Sequence, residues 1–300
     1  MKLFDCTLYY DEDLILETRL NILDKYFDKF IICEAKYTHS GRKKNLNFNI
    51  NKFPEFKNKI IYIVDDKEPE EVIYENKGDK KIEDPQNWRA NSVKRIAQQR
   101  NKLLGSIDQL ADENDFIFYS DNDEIPNMEE FNKIKEDSQI ILFEQKLFYY
   151  KFNLLYDKIF WYGTRAVKKK NLIDFEWIRQ IKAKKYRFFR LDTLFKRDRY
   201  INLKIIKNGG WHFTRVLTPD EIHAKELDAE HHDEYRASNK NPNKIRDLIK
   251  RRMIDHDHFA DTKQSKYGKE FELKIFNFDD LPEYIKNNTE KYQNYLDLDY

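Results

Sequence analysis

The sequence predicts an α/β fold, with a mixed central sheet flanked by helices and a helical C-terminal extension. Three observations carry this. Apolar, β-rich runs recur near residues 2–9, 30–35, 60–64 and 115–120. Amphipathic runs at 11–26 and 88–110 separate them, and that alternation implies parallel or mixed pairing under covering helices. From Pro219 onward the pattern turns polar and helical. The expected division is a domain over residues 1–232 and a mainly helical or irregular extension over 233–300.

Residues 2–9 alternate as a first strand, and Asp11 suits the cap of the helix that follows. Leu14, Leu16, Leu20 and Leu23 form its apolar stripe, widened by Ile15 and Ile22. The second strand places Glu34 near its carboxyl end, where a carboxylate either caps an amide or faces a ligand. The polar loop after it carries Tyr37-Thr38-His39-Ser40-Gly41. Residues 66–86 are charged and read as a surface loop. Helix 88–110 should bury Val93, Ala97, Leu104 and Ile107, with Arg100 in the middle of that stripe. A guanidinium there needs a partner, either a core acid such as Asp5 or the acid cluster and a phosphate.

The chain is organised around residues 115–127. Phe116-Ile117-Phe118-Tyr119 reads as a buried strand, followed at once by Asp121, Asp123 and Glu124. Pro126 stops the strand and suits the start of a helix over 127–137. Crowded carboxylates are well held by a hard divalent cation. An EF-hand loop is excluded: counted from Asp121, its sixth residue is Pro126 instead of Gly and its twelfth is Asn132 instead of Glu. Position favours a ligand site, because open α/β sheets bind ligands beyond the carboxyl ends of their strands.

Two aromatic strands follow at 140–152 and 158–167, the first carrying Glu144 among apolar neighbours. Such faces line sugar sites, but most of these rings read as core. The basic stretches 168–170 and 179–190 read as solvated faces. Gly209 and Gly210 allow close backbone approach, and His212 follows between two aromatics. His231-His232 and His256-Asp257-His258 lack partners at ligand spacing and read as surface features.

Composition narrows the function. The 300 residues are 40% hydrophobic and 15% aromatic, enough for one large domain. Lys and Arg number 55 against 54 Asp and Glu, so no global field marks a nucleic-acid binder. Cys6 and Cys33 both lie in apolar runs and read as buried free thiols of a reducing compartment. Asp5 interrupts any signal-like apolar region, and no run approaches membrane-spanning length. The expectation is a cytoplasmic protein, compatible with peripheral association at the inner face of a membrane.

The motifs Phe4-Asp5-Cys6, Leu16-Glu17-Thr18-Arg19-Leu20-Asn21, Glu34-Ala35, Thr38-His39-Ser40-Gly41, Gln99-Arg100-Asn101, Ser120-Asp121-Asn122-Asp123-Glu124-Ile125-Pro126 and Gly210-Trp211-His212-Phe213 occur in that order. Together they resemble glycosyltransferase family 17, that of the β-1,4-mannosyl-glycoprotein β-1,4-N-acetylglucosaminyltransferase, across about residues 3–232. The resemblance implies a GT-A-type nucleotide-sugar fold and a divalent cation, Mn2+ or Mg2+. It also implies a UDP-sugar donor, first UDP-N-acetylglucosamine, and inverting transfer to a glycan acceptor. With no membrane anchor expected, the acceptor shifts from an N-glycan towards a surface polysaccharide or lipopolysaccharide.

On that reading Asp123 is the main metal ligand, Asp121 contacts the metal through water or the ribose, and His212 arrives from the far side. Arg100 pairs with Asp121 or a phosphate, while Glu34, His39, Ser40 and Trp211 hold the nucleotide. Inversion needs a carboxylate base, for which Glu124, Glu144 and Glu176 are candidates and Glu144 is preferred. Two rival readings are a metal-dependent sugar-nucleotide hydrolase or phosphodiesterase, and a non-catalytic glycan-binding protein.

Overall fold

The computed structural model describes residues 1–77, 80–134, 138–184, 201–260 and 266–298. The expected strand–helix order is present. β1 (Leu3–Tyr9) leads through α1 (Asp13–Leu23) to β2 (Lys29–Ala35) and β3 (Ile60–Asp65). The stretch expected as a charged loop contains two short antiparallel strands, β4 (Glu75–Lys77) and β5 (Lys80–Ile82), before the long helix α2 (Trp88–Leu110). β6 (Phe116–Tyr119), β7 (Glu124–Pro126) and the short α3 (Met128–Asn132) follow. The expected helix 127–137 is therefore shorter, and 135–137 lie outside the described residues.

The long strands β8 (Ile140–Tyr149) and β9 (Leu154–Lys168) precede α4 (Phe175–Gln180), β10 (Leu203–Ile206) and β11 (Gly210–Thr214). Of the basic stretch 179–190, residues 185–190 lie outside the described residues. The C-terminal part is α5 (Pro219–Asp228), α6 (His232–Ala237), α7 (Pro242–Lys250), β12 (Met253–His256), β13 (Tyr267–Glu272), β14 (Lys274–Ile275), α8 (Glu283–Asn287) and α9 (Thr289–Tyr292). It is thus not helical alone: β12 pairs with β13, and β14 joins the main sheet beside β9.

The main sheet runs β3-β2-β1-β6-β9-β8-β11-β7, with β10 and β14 off that path. Pairs β3–β2, β2–β1 and β1–β6 are parallel, β9 is antiparallel to both β6 and β8, and β8–β11 is parallel. β1, β2, β6, β8 and β11 therefore all run the same way, and their carboxyl ends share one edge. Side chains alternate across the pleat. Phe30, Ile32 and Phe118 meet Leu16, Leu20 and Leu23 of α1 on one face. Ile31, Cys33, Ile117 and Tyr119 meet Leu103 and Ile107 of α2 and Phe175 and Ile178 of α4 on the other.

Both cysteines are free and buried, as expected. The buried stripe of α2 is Ile96, Gln99, Arg100, Leu103 and Ile107; Val93 faces solvent. Among the described residues no helix is long and apolar enough to cross a membrane. Gly210 starts β11 at φ +130°, and a Cβ there would stand 2.1 Å from the Ile125 carbonyl oxygen. Only glycine lets β11 lie against β7 at that distance and angle, which sets His212 beside the acid turn.

Candidate active site

A cleft of about 280 Å³ opens along the shared carboxyl edge. Tyr10, Tyr37, His39 and Arg100 line it. The acid turn after β6 and Trp161, His212, Arg215 and Lys225 line it as well.

The turn is wound around a guanidinium. Arg19 of α1 is fully buried and donates to both Asp5 carboxylate oxygens at 2.6 and 2.7 Å. Its Nη2 also donates to the Ser120 hydroxyl at 2.6 Å, and its Nη1 to the carbonyls of Asp121, Asn122 and Glu124 at 3.2, 3.3 and 2.9 Å. Backbone oxygens that would otherwise repel one another share one cation.

The acids above it have different fates. Asp121 is gripped by Arg179 of α4 at 2.6 Å and lies 3.3 Å from the Tyr119 hydroxyl. Burial alone would raise its pKa, but Arg179 and then Arg100 hold the carboxyl well below the usual range. Glu124 accepts from Arg179 at 2.9 and 3.0 Å, from Trp161 Nε1 at 2.6 Å and from the Asp121 amide at 2.9 Å. It fits only because Gly163 has no side chain: a Cβ there would stand 2.4 Å from the Glu124 carboxyl carbon.

Asp123 faces His212, Oδ2 to Nε2 at 3.4 Å. Burial opposes charge on each, yet each sustains the other: the Asp123 pKa is lowered and the His212 pKa raised. Trp161 stacks obliquely on the imidazole, with centroids 4.9 Å apart. Among the described residues His212 Nδ1 is buried without a hydrogen-bond partner, as are both polar atoms of the Asn122 amide. Farther along the wall, Glu12 pairs with Lys225, whose charge outweighs burial and lowers the Glu12 pKa.

A carboxylate and an imidazole side by side suit a transition-type divalent cation. The fit is partial: among the described residues no group of three or more His, Cys, Asp or Glu side chains is placed to hold a metal ion.

The family model of glycosyltransferase family 17 matches residues 1–297. The chain belongs to glycosyltransferase family 17. Among curated proteins no significant match to this family 17 chain is found. Among solved structures, one similar chain is the inositol-1-phosphate CTP transferase from T. maritima. It is 9% identical and spans 74% of this chain and 94% of its own, at a TM-score of 0.33, too slight a likeness to carry any argument.

The structure of the family 17 chain brings Asp121, Asp123, Glu124, His39, Arg100 and His212 to one cleft. It places the other expected residues elsewhere. Glu34 is fully buried and accepts from Lys44, from the Asn47 and Phe48 amides at 2.7 and 3.0 Å, and from the Tyr62 hydroxyl at 2.8 Å. It pins the loop after β2 and does not line the cleft. Ser40 bonds Asp228 at 3.1 Å and Thr38 at 2.9 Å. Trp211 packs against the core on the opposite side of β11 from His212, and Trp161 takes the cleft position.

Glu144 bonds Tyr162 at 2.8 Å and Lys207 at 2.5 Å, away from the cleft. Glu176 holds Arg100 at 2.7 Å, and Arg100 reaches the acid turn only through the Tyr119 hydroxyl at 3.0 Å. Asp5 pairs with Arg19 rather than Arg100. The histidines read as surface features are not all exposed: His232 is buried, and His258 lies under Trp161 with centroids 6.2 Å apart.

Proposed function

We propose that this family 17 chain transfers a sugar, N-acetylglucosamine first among candidates, from a UDP-sugar to a glycan hydroxyl with inversion, on a GT-A-type scaffold. The observation that carries the reading is the Asp123–His212 pair in a cleft at the carboxyl edge of the sheet. Asp123 and His212 would hold Mn2+ or Mg2+ as two protein ligands, leaving the remaining positions to diphosphate oxygens and water. Bound there, the cation would supply charge stabilisation to the departing nucleoside diphosphate.

The chain's own groups prepare the same ground. Arg100, Arg215 and Lys225 line the cleft, paired with Glu176, Glu226 and Glu12, and would turn N–H donors to a diphosphate. Asp121 acts through its position, since Arg179 already neutralises it. Arg179 and Trp161 occupy the Glu124 carboxylate, so it orders the turn in this state. The rings of Tyr10 and Tyr37 offer the nucleobase apolar faces.

The test is UDP-sugar turnover with and without manganese, in wild type and in Asp123→Ala. Loss of about 100-fold or more in the variant supports the reading, and undiminished turnover removes Asp123 from it. Water as sole acceptor under every condition would favour the hydrolase instead.

A further inference from the structure

Six carboxylates line the cleft: Glu12, Asp121, Asp123, Glu124, Asp228 and Glu230. Five are committed to partners. Lys225 holds Glu12, Arg179 holds Asp121 and Glu124, and His212 faces Asp123. Asp228 accepts from Arg42, from the Tyr10 hydroxyl at 2.8 Å and from Ser40. Glu230, in the turn between α5 and α6, has no hydrogen-bond donor among the described residues. The His231 imidazole lies 3.8 Å away, and its own pKa is lowered by burial.

Its place in the cleft narrows its use. Glu230 follows Asp228, which bonds Tyr10 and Ser40, and its charge reaches the half-buried His39 imidazole. It therefore lines the cleft within electrostatic reach of His39. A half-exposed carboxylate with both oxygens unbonded accepts two adjacent hydroxyl donors well, as in a cis-diol. Asp121, the other acid available for that task, is occupied by Arg179 and Tyr119.

We infer that Glu230 reads the ribose 2′- and 3′-hydroxyls of the nucleoside diphosphate and selects ribo- over deoxyribonucleotides. This rests on the proposed donor class. Calorimetry on the full chain with manganese, using UDP and 2′,3′-dideoxy-UDP against wild type and Glu230→Gln, tests it. Among the described residues Glu230 accepts no hydrogen bond, so the variant is expected to melt as wild type does. UDP should bind the variant about 10- to 100-fold more weakly, and the dideoxy analogue should bind both proteins alike. Wild-type UDP affinity in Glu230→Gln, or equal losses for both nucleotides, overturns the inference alone. No UDP binding to wild type overturns the donor reading and the inference with it.

Discussion

Arg19 shows how a residue can govern a site it never touches from solvent. It sits beside Leu20 in an amphipathic helix, and its spacing alone does not separate a buried guanidinium from an exposed one. The acid turn was legible because its three acids directly follow a core strand, where open α/β sheets place their ligands. Its anchor was not, because Asp5, Arg19 and residues 120–124 meet only through folding. Glu34 misled for a related reason. Its position at a strand end invited a ligand, but the chain returns at Asn47 and Phe48 to fill its oxygens. Glu34→Gln should destabilise the protein by about 3 kcal/mol, since it leaves the buried Lys44 ammonium without its counter-charge. UDP affinity of the folded variant should not change. Urea titration and calorimetry together check both parts, and a selective loss of UDP binding would return Glu34 to the nucleotide.

The elements were legible where periodicity was strong. β1, β2, β3, β6 and α2 stand where apolar alternation and helical spacing place them. On α2 the expected burial of Arg100 and Ile107 is present, but Ile96, Gln99 and Leu103 replace Val93, Ala97 and Leu104 on the buried face, Gln99 being held there by the Cys33 carbonyl oxygen. The region from α6 to β12 was the least legible. There Lys240, in the turn before α7, pairs with Asp255 of β12 with both side chains almost fully buried. Burial first, and then Arg215, push the Lys240 pKa down to about 8, from 10.5 in the unfolded chain. Between those values the unfolded chain binds more protons, so this group makes stability rise with pH above about 8. From pH 7 to 9 the gain should be about 1 kcal/mol. It should vanish in Lys240→Met, as read from urea midpoints at both pH values, and an equal slope in both proteins would contradict the assignment.

The whole molecule does not part at residue 232. Leu281, Ile285, Tyr292 and Leu296 belong to the same core as Leu16 and Phe118, and the Tyr292 hydroxyl bonds Thr18 at 2.8 Å. The family match likewise runs to residue 297. These contacts were invisible in sequence because each is a single aromatic or aliphatic residue in a polar tail. A fragment of residues 1–232 should lose cooperative thermal unfolding, whereas melting near the full-length temperature would show an independent domain.

At this scale the account reduces to a cleft at the carboxyl edge of the sheet that holds the Asp123–His212 pair. The most direct measurement is manganese binding, by electron paramagnetic resonance, to wild type, Asp123→Asn and His212→Asn in the presence of UDP. Wild type should bind the ion with UDP present, and each variant should bind it at least about tenfold more weakly. Manganese held equally well by all three proteins would contradict the central claim.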